Sequence, residues 1–278
     1  MKTILVPTDF SVVARNASLY ALQLAQTTQS RILLFHVYHI PVPPTDELIM
    51  ANIKNADEYQ EDNMMRIKEE IAFLKEHSEV VVEGKAVEGL AVDEINELEK
   101  REKPYLIIMG MQTSGAMSEF LFGSVTTDLI RKTETPIIVV PEEYHFAKLK
   151  KVVFADDHSE EVEIPVVFRD ILELYDAKVF ILHVNQMNEK VMVGNQPSTA
   201  KIEHYFSNTE HVYDFLENDE LIHGISDFIT QHKIDMVAMM PHKHNLFQRL
   251  FRESQTKKMA FHTKVPLFIS PILSDDID

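Results

Sequence analysis

The chain has 278 residues and a hydrophobic content of 45%, enough for two domains of ordinary size that each bury a core. It contains no cysteine, which excludes disulfides, thiolate metal sites and cysteine nucleophiles. The formal net charge is −17 and both halves are acidic, so we expect no nucleic-acid binding. No apolar run approaches the ~20 residues of a membrane span, and we expect a cytoplasmic protein without a membrane partner.

Short apolar segments alternate with amphipathic ones through the first half. Residues 4–6 predict the first strand, and Ser11 can cap a helix whose apolar residues recur at helical spacing. The remaining predicted elements are strands at 32–37, 80–86, 106–109 and 137–140, and helices at about 45–77, 92–100 and 125–132. Strands that are apolar on both faces and alternate with helices predict a parallel sheet covered on both sides.

The chain also contains an internal repeat. Residues 2–11 align with 150–159, 31–37 with 178–184, and 105–141 with 235–271 without a gap. The blocks keep the same order, so we expect two tandem domains, residues 1–145 and 146–278. The predicted fold class is α/β, with two doubly wound, five-stranded parallel-sheet domains. Pro165 is expected to delay or kink the first helix of the second domain.

The most informative segment runs from Gly110 to Ser124, between the fourth strand and a helix. Unpaired N–H groups at such a helix start can bind an anion. Gly110 and Gly123 would let the backbone approach a ligand, and Ser124 adds a hydroxyl. This predicts a nucleotide-phosphate site, although turn glycines and a capping serine are the plainer interpretation. The site is not a Walker loop, because no Gly-Lys-Ser/Thr follows.

Together with that loop, ILVPTDFS at 4–11 and LLFHV at 33–37 resemble the universal stress proteins, and the duplication resembles their tandem-domain members. The nucleotide-binding pattern of this family has three glycines followed by Ser or Thr. Thr113 stands in place of the second glycine. A threonine is unfavourable there if the backbone needs a positive φ, and it narrows the phosphate pocket if only a close approach is needed.

The resemblance implies that the first domain binds ATP, either alone or with Mg²⁺. By position, it implies ligand-binding roles for Pro7, Thr8, Asp9, Val37, Gly110, Thr113, Gly123, Ser124 and Val125. We assign no catalytic or metal-ligating residue. In the second half Met240, Lys243 and Glu253 replace the three glycines and only Ser254 is retained. We therefore expect no ATP there, because a carboxylate would repel a phosphate.

Three functions stay open at this stage. The first is a regulatory or stress-response protein that binds an adenine nucleotide in its first domain. The second is a scaffold of the same fold without nucleotide, which Thr113 favours. The third is an adenine-nucleotide hydrolase, for which no general base or lysine clamp stands out, so weak hydrolysis is the most we expect. Together with the duplication, the resemblance implies that the fifth strands, 137–140 and 267–270, meet between the domains, and a homodimer stays open.

Overall fold

The structure is a computed structural model that describes residues 1–40, 55–111, 113–114, 119–120, 124–156, 164–184, 197–216, 221–240 and 264–271. In the first half the elements are β1 Thr3–Pro7, α1 Val12–Thr28, β2 Arg31–Tyr38, α2 Ala56–Lys75, β3 Val82–Glu88, α3 Ala91–Glu102, β4 Leu106–Met111, the short strands β5 Thr113–Ser114 and β6 Glu119–Phe120, α4 Ser124–Lys132 and β7 Ile137–Pro141. In the second half they are β8 Lys151–Asp156, α5 Val166–Tyr175, β9 Lys178–Val184, α6 Pro197–Tyr205, β10 His211–Leu216, α7 Leu221–His232, β11 Met236–Met239 and β12 Leu267–Ile269.

Ten of these strands form one sheet in the order β10-β9-β8-β11-β12-β7-β4-β1-β2-β3. Within each half the neighbouring strands are parallel, which confirms the predicted α/β fold class. The two halves join where β7 and β12 pair antiparallel, with Ile138 opposite Phe268. The prediction that the fifth strands meet between the halves is confirmed, and the pairing covers two edges that would otherwise be free.

The core has two layers because strand side chains alternate between the faces of the sheet. Ile4 and Val6 contribute to the layer that contains α1 and α5. Leu5, between them, contributes to the layer that contains α3, α4 and α7. Both faces are therefore buried, as the continuous apolar strands predicted.

Helix α1 begins where its sequence predicts. Ser11 is the N-cap, and its Oγ accepts a hydrogen bond from the Ala14 amide at 3.1 Å. Ala17, Tyr20 and Leu24 on the apolar face are at most 1% exposed. The cap and this buried face fix α1 on the sheet, with its first turn beside the end of β1.

Several element boundaries differ from the sequence prediction. The long helix α2 starts at Ala56 because Asn55 and Glu58 form a capping box; residues 45–54 lie outside the described part of the chain. Strand β4 runs two residues beyond 109, so that Gly110 lies within it. Helix α5 starts directly after Pro165, so the proline delays it as expected.

Polar contacts tie the two halves together. The Asp170 carboxylate of α5 accepts hydrogen bonds from Lys2 Nζ and Tyr105 Oη, both at 2.7 Å. After β7, Tyr144 Oη donates to the Asp235 carbonyl at 3.2 Å, and burial raises the pKa of Tyr144 to about 12. Both contacts join residues more than sixty positions apart, so they hold the halves in one arrangement.

Among the helices described, none is long and apolar enough to cross a membrane.

Candidate functional site

A cavity of about 620 Å³ opens at the carboxyl ends of β1, β2 and β4. The first residues of α1, α3 and α4 surround it. Its lining residues are Pro7, Thr8, Asp9, Ser11, Val13, Ala14, Phe35, Val37, Ala91, Ile95, Met109, Gly110, Ser124, Val125 and Thr126. The carboxyl edge of a parallel sheet, where helices start, is the usual place for a ligand in this class of fold.

The turn between β1 and α1 forms one wall of the cavity. Its first residue is anchored by the Thr8 amide, which donates to the Phe35 carbonyl at 2.9 Å. Thr8 Oγ1 accepts from the Phe10 amide at 3.0 Å, and Asp9 Oδ1 accepts from the Ser11 amide at 2.9 Å. Asp9 is therefore a turn-forming residue, and it also lines the cavity.

Phe10 has a left-handed backbone, with φ of 65°. This conformation is uncommon for a bulky residue and must be stabilised by its surroundings. The Phe10 ring lies 4.4 Å from that of His36 and has the Arg66 guanidinium 4.1 Å above it. These contacts hold the turn in a shape that the backbone would rarely adopt alone.

Gly110 borders the cavity, but its closest neighbour belongs to α1. A Cβ placed on Gly110 would lie 2.6 Å from Val13 Cγ1 and 2.7 Å from the Val13 carbonyl oxygen. No real Cβ approaches backbone so closely, so the glycine lets β4 and the first turn of α1 come together. The close approach that requires glycine is thus to a helix, a reason that the sequence pattern did not reveal.

The start of α4 forms a second wall. Ser124, Val125 and Thr126 line the cavity within the first turn of this helix, where amides have no partner in the helix itself. Gly123, which precedes them, is outside the described residues. These amides and the two hydroxyls are the groups that could bind an anion.

Thr113 lies in β5, whose backbone pairs antiparallel with β6, with Thr113 opposite Phe120. The concern that this position needs a positive φ is therefore removed, because an extended strand suits a β-branched residue. A contact between Thr113 and a ligand stays a prediction.

The remaining wall is apolar. It is formed by Phe35 and Val37 of β2 and by Ala91 and Ile95 at the start of α3. Of these, only Val37 was a predicted site residue. Sequence reasoning missed Ala91 and Ile95 because their helix follows a strand distant in sequence from the glycine loop. The available signal was Gly89, which has a φ of 158° and brings α3 back over the sheet.

The fold therefore places seven of the nine predicted site residues in the lining of one cavity: Pro7, Thr8, Asp9, Val37, Gly110, Ser124 and Val125. Its described lining contains four hydroxyl side chains and one carboxylate, and none of its residues is Lys or Arg. Apolar side chains together with hydroxyls and helix amides in one cavity fit a flat, apolar ring that carries a polar or anionic group.

Comparison with known proteins agrees with this architecture. The sequence profile described as the universal stress protein family matches residues 1–141, just over half of the chain. The chain therefore belongs to the universal stress protein family.

Two curated relatives come from Methanocaldococcus jannaschii. Universal stress protein MJ0531 is 27% identical over 145 residues, which cover 50% of this chain and 81% of that protein. Universal stress protein MJ0577 is 28% identical over 152 residues, covering 50% of this chain and 94% of that protein. Each relative thus matches about half of this chain.

A solved structure matches the whole length. The universal stress protein from Archaeoglobus fulgidus DSM 4304 covers 97% of this chain and 98% of its own, with a TM-score of 0.70 and 16% identity. At this identity the likeness shows the fold and does not identify a ligand.

Proposed function

We propose that this chain is a tandem universal stress protein with domains at 1–145 and 146–278, and that the cavity of the first domain binds an adenine nucleotide, ATP. The bound nucleotide would act as a regulatory or stabilising ligand in a stress response. We place the protein in the cytoplasm on the basis of its composition.

One observation carries the proposal of a binding site. Residues chosen from three separate sequence segments, 7–9, 37 and 110–125, line a single cavity.

The chemistry of the cavity fits the parts of ATP. The adenine ring would pack between Val37 and Ile95, while the ribose and phosphates would face Asp9 and the amides at the start of α4. Since no Lys or Arg is among the described lining residues, Mg²⁺ would help to neutralise the phosphate charge. The same lack of cations favours binding over hydrolysis.

The sheet supports the tandem arrangement. Read outward from the β7–β12 pair, the first half has the order β7-β4-β1-β2-β3 and the second has β12-β11-β8-β9-β10. Corresponding strands of the two halves therefore occupy the same places. An internal duplication followed by pairing of the fifth strands accounts for that order.

The first experiment asks whether the purified protein carries a nucleotide. Denaturing the protein and analysing the supernatant by ion-exchange chromatography should release ATP. The variant Ala91→Phe, which fills the apolar side of the cavity, should abolish both this release and the binding of added Mg·ATP.

Leu90→Phe is the matched control, because Leu90 is the adjacent residue, is 69% exposed and does not line the cavity. It should bind like the unmodified chain. Equal binding by Ala91→Phe and Leu90→Phe would show that the cavity is not the nucleotide site.

A further inference from the structure

Thr126 carries a buried hydroxyl at the start of α4. The residue is 6% exposed, lines the cavity and is the third of a helix that begins at Ser124. In the part of the chain that the structure describes, its Oγ1 makes no hydrogen bond. A hydroxyl that is removed from bulk water without a partner lowers stability, so its retention points to a partner that comes from the cavity.

Buried hydroxyls elsewhere in this chain have acceptors within the fold. In α1, Ser18 and Thr28 donate to the carbonyl oxygens of Ala14 and Leu24, four residues earlier, at 3.0 and 2.9 Å. Such a bond needs a preceding turn of the same helix. Thr126 has only two helical residues before it, so the usual acceptor of a buried helical threonine is missing.

The place of Thr126 in its helix directs the hydroxyl to the cavity. Side chains of an α-helix tilt towards its N-terminus, and the N-terminus of α4 borders the cavity. Within the described structure, Tyr20 Oη and Asn96 Oδ1 are sealed from solvent without a partner, whereas Thr126 Oγ1 still reaches open space. Because the open space beside Thr126 is the cavity, its hydroxyl is available to a bound ligand.

The surrounding groups define the chemistry of that ligand. Amides in the first turn of α4 have no partner in the helix, and the partial positive charge of a helix start favours an anion. The oxygens of Thr8 and Ser11 accept from backbone amides, which leaves their hydroxyl protons to donate, and Asp9 Oδ1 accepts from the Ser11 amide. Neutral donors of this kind, with no Lys or Arg in the described lining, suit the oxygens of a phosphate group.

We propose that Thr126 is a specificity-determining residue of the nucleotide cavity: its hydroxyl donates to a phosphate oxygen, and it thereby selects phosphorylated ligands over the free nucleoside. This inference rests on the proposed function and adds to it a residue that the sequence pattern did not assign. A hydrogen bond to a charged oxygen is among the stronger ones in proteins, and losing it should weaken binding by about 10- to 100-fold.

The test compares two variants of the full chain by calorimetric titration with Mg·ATP. Thr126→Val keeps the branched shape and removes the hydroxyl, so it should bind about 10- to 100-fold more weakly than the unmodified chain. Thr126→Ser keeps the hydroxyl and removes the methyl group, so it should bind nearly as tightly as the unmodified chain. Equal affinities of Thr126→Val and the unmodified chain would overturn the inference, as would a weaker Thr126→Ser than Thr126→Val.

A matched control and a second ligand show which part of the nucleotide is contacted. Thr127→Val makes the same exchange at the next residue, which does not line the cavity, and should leave Mg·ATP affinity unchanged. Adenosine, which lacks phosphates, should bind Thr126→Val and the unmodified chain alike. A loss of adenosine affinity by the same factor as that of Mg·ATP would overturn the assignment to phosphate.

A ligand-free measurement separates a binding role from a structural one. Without nucleotide, Thr126→Val should be at least as stable to thermal unfolding as the unmodified chain, because no hydrogen bond within the protein is lost. Clear destabilisation would place the hydroxyl in the fold and overturn the inference whether or not a nucleotide binds. Absence of Mg·ATP binding by the unmodified chain would instead contradict the proposed function, and this inference with it.

Discussion

The two halves of the chain share a strand order but differ where the first helix meets the sheet. In the first half β1 ends at Pro7 and α1 begins at Val12, whereas in the second β8 ends at Asp156 and α5 begins at Val166. The position that corresponds to Gly110 is Met240, which is buried. The comparison shows that the glycine on the fourth strand occurs in the half whose first helix starts close to the end of the first strand.

The physical reason is a contact between strand and helix. In the first half the Val13 carbonyl lies 2.7 Å from where a Cβ of residue 110 would be, so a side chain there excludes the helix turn. Met240 carries such a side chain, and the second half starts its helix later, with Pro165 at the N-cap. The cavity wall formed by Ser11 and Val13 thus depends on the glycine, independently of any ligand.

The largest change in stability is expected at β12, the strand through which the second half pairs with the first. Phe268 of β12 is fully buried, and the centre of its ring lies 4.7 Å from the centre of the Phe168 ring of α5. Phe268→Ala should lower the free energy of unfolding by about 4 kcal/mol, because it leaves a cavity beside the junction strand. Chemical denaturation measures this change.

Leu174→Ala, at a half-exposed position of α5, should change the unfolding free energy by less than about 0.5 kcal/mol. Hydrogen exchange should then show α1 and α5 losing protection together in Phe268→Ala. Protection lost in α5 alone would mean that the halves are stabilised separately.

The next prediction makes the first half resemble the second. Gly110→Ala should destabilise the chain by about 2–3 kcal/mol and weaken Mg·ATP binding, because its Cβ collides with the backbone of Val13. Thermal unfolding and calorimetry measure the two effects.

The reciprocal change Met240→Ala serves as the control for binding. It should cost stability through lost packing and leave nucleotide affinity unchanged. A Gly110→Ala protein with unchanged stability would contradict the contact between β4 and α1.

The smallest change in stability is expected at Asp170, which joins the two halves through Lys2 and Tyr105. Desolvation alone would raise the pKa of Asp170, but hydrogen bonds from Lys2 and Tyr105 hold it below its usual value. A lowered folded-state pKa stabilises the protein above the unfolded pKa of about 3.9, and this stabilisation is lost as the pH falls through the folded value. Asp170→Asn should therefore lower the free energy of unfolding by only about 1 kcal/mol at pH 7, because the contact is partly exposed. The loss should be smaller at pH 3, where part of this stabilisation is already gone.

Thermal unfolding of the unmodified chain and Asp170→Asn, compared at both pH values, measures this difference. The control is Asp176→Asn, at the C-cap of the same helix. Its stability difference from the unmodified chain should not become smaller between pH 7 and pH 3. A stability difference that is equal at pH 7 and pH 3 would contradict the assignment.

Much of this arrangement could be predicted from the sequence, for identifiable reasons. Buried strands such as β4 are continuous apolar runs, and Ser11 caps α1 through a local hydrogen bond that its residue type favours. The pairing of β7 with β12 was predicted from the repeat together with the resemblance to the universal stress proteins. These features depend on short-range patterns or on the order of similar segments.

Other features depend on contacts between distant segments and could not be predicted. Ala91 and Ile95 join the cavity only because α3 folds back over β2. The contact between Gly110 and Val13 links residues almost a hundred positions apart, and the two hydrogen-bond partners of the His36 ring, Thr8 and Asn63, come from a turn and a helix. No local pattern records such distances.

The claim that one nucleotide site exists, in the first half alone, is tested most directly by the stoichiometry of Mg·ATP binding to nucleotide-free protein. Isothermal titration calorimetry should give one equivalent per chain, and Ala91→Phe should remove it. A second equivalent, or one equivalent that persists in Ala91→Phe, would contradict the claim.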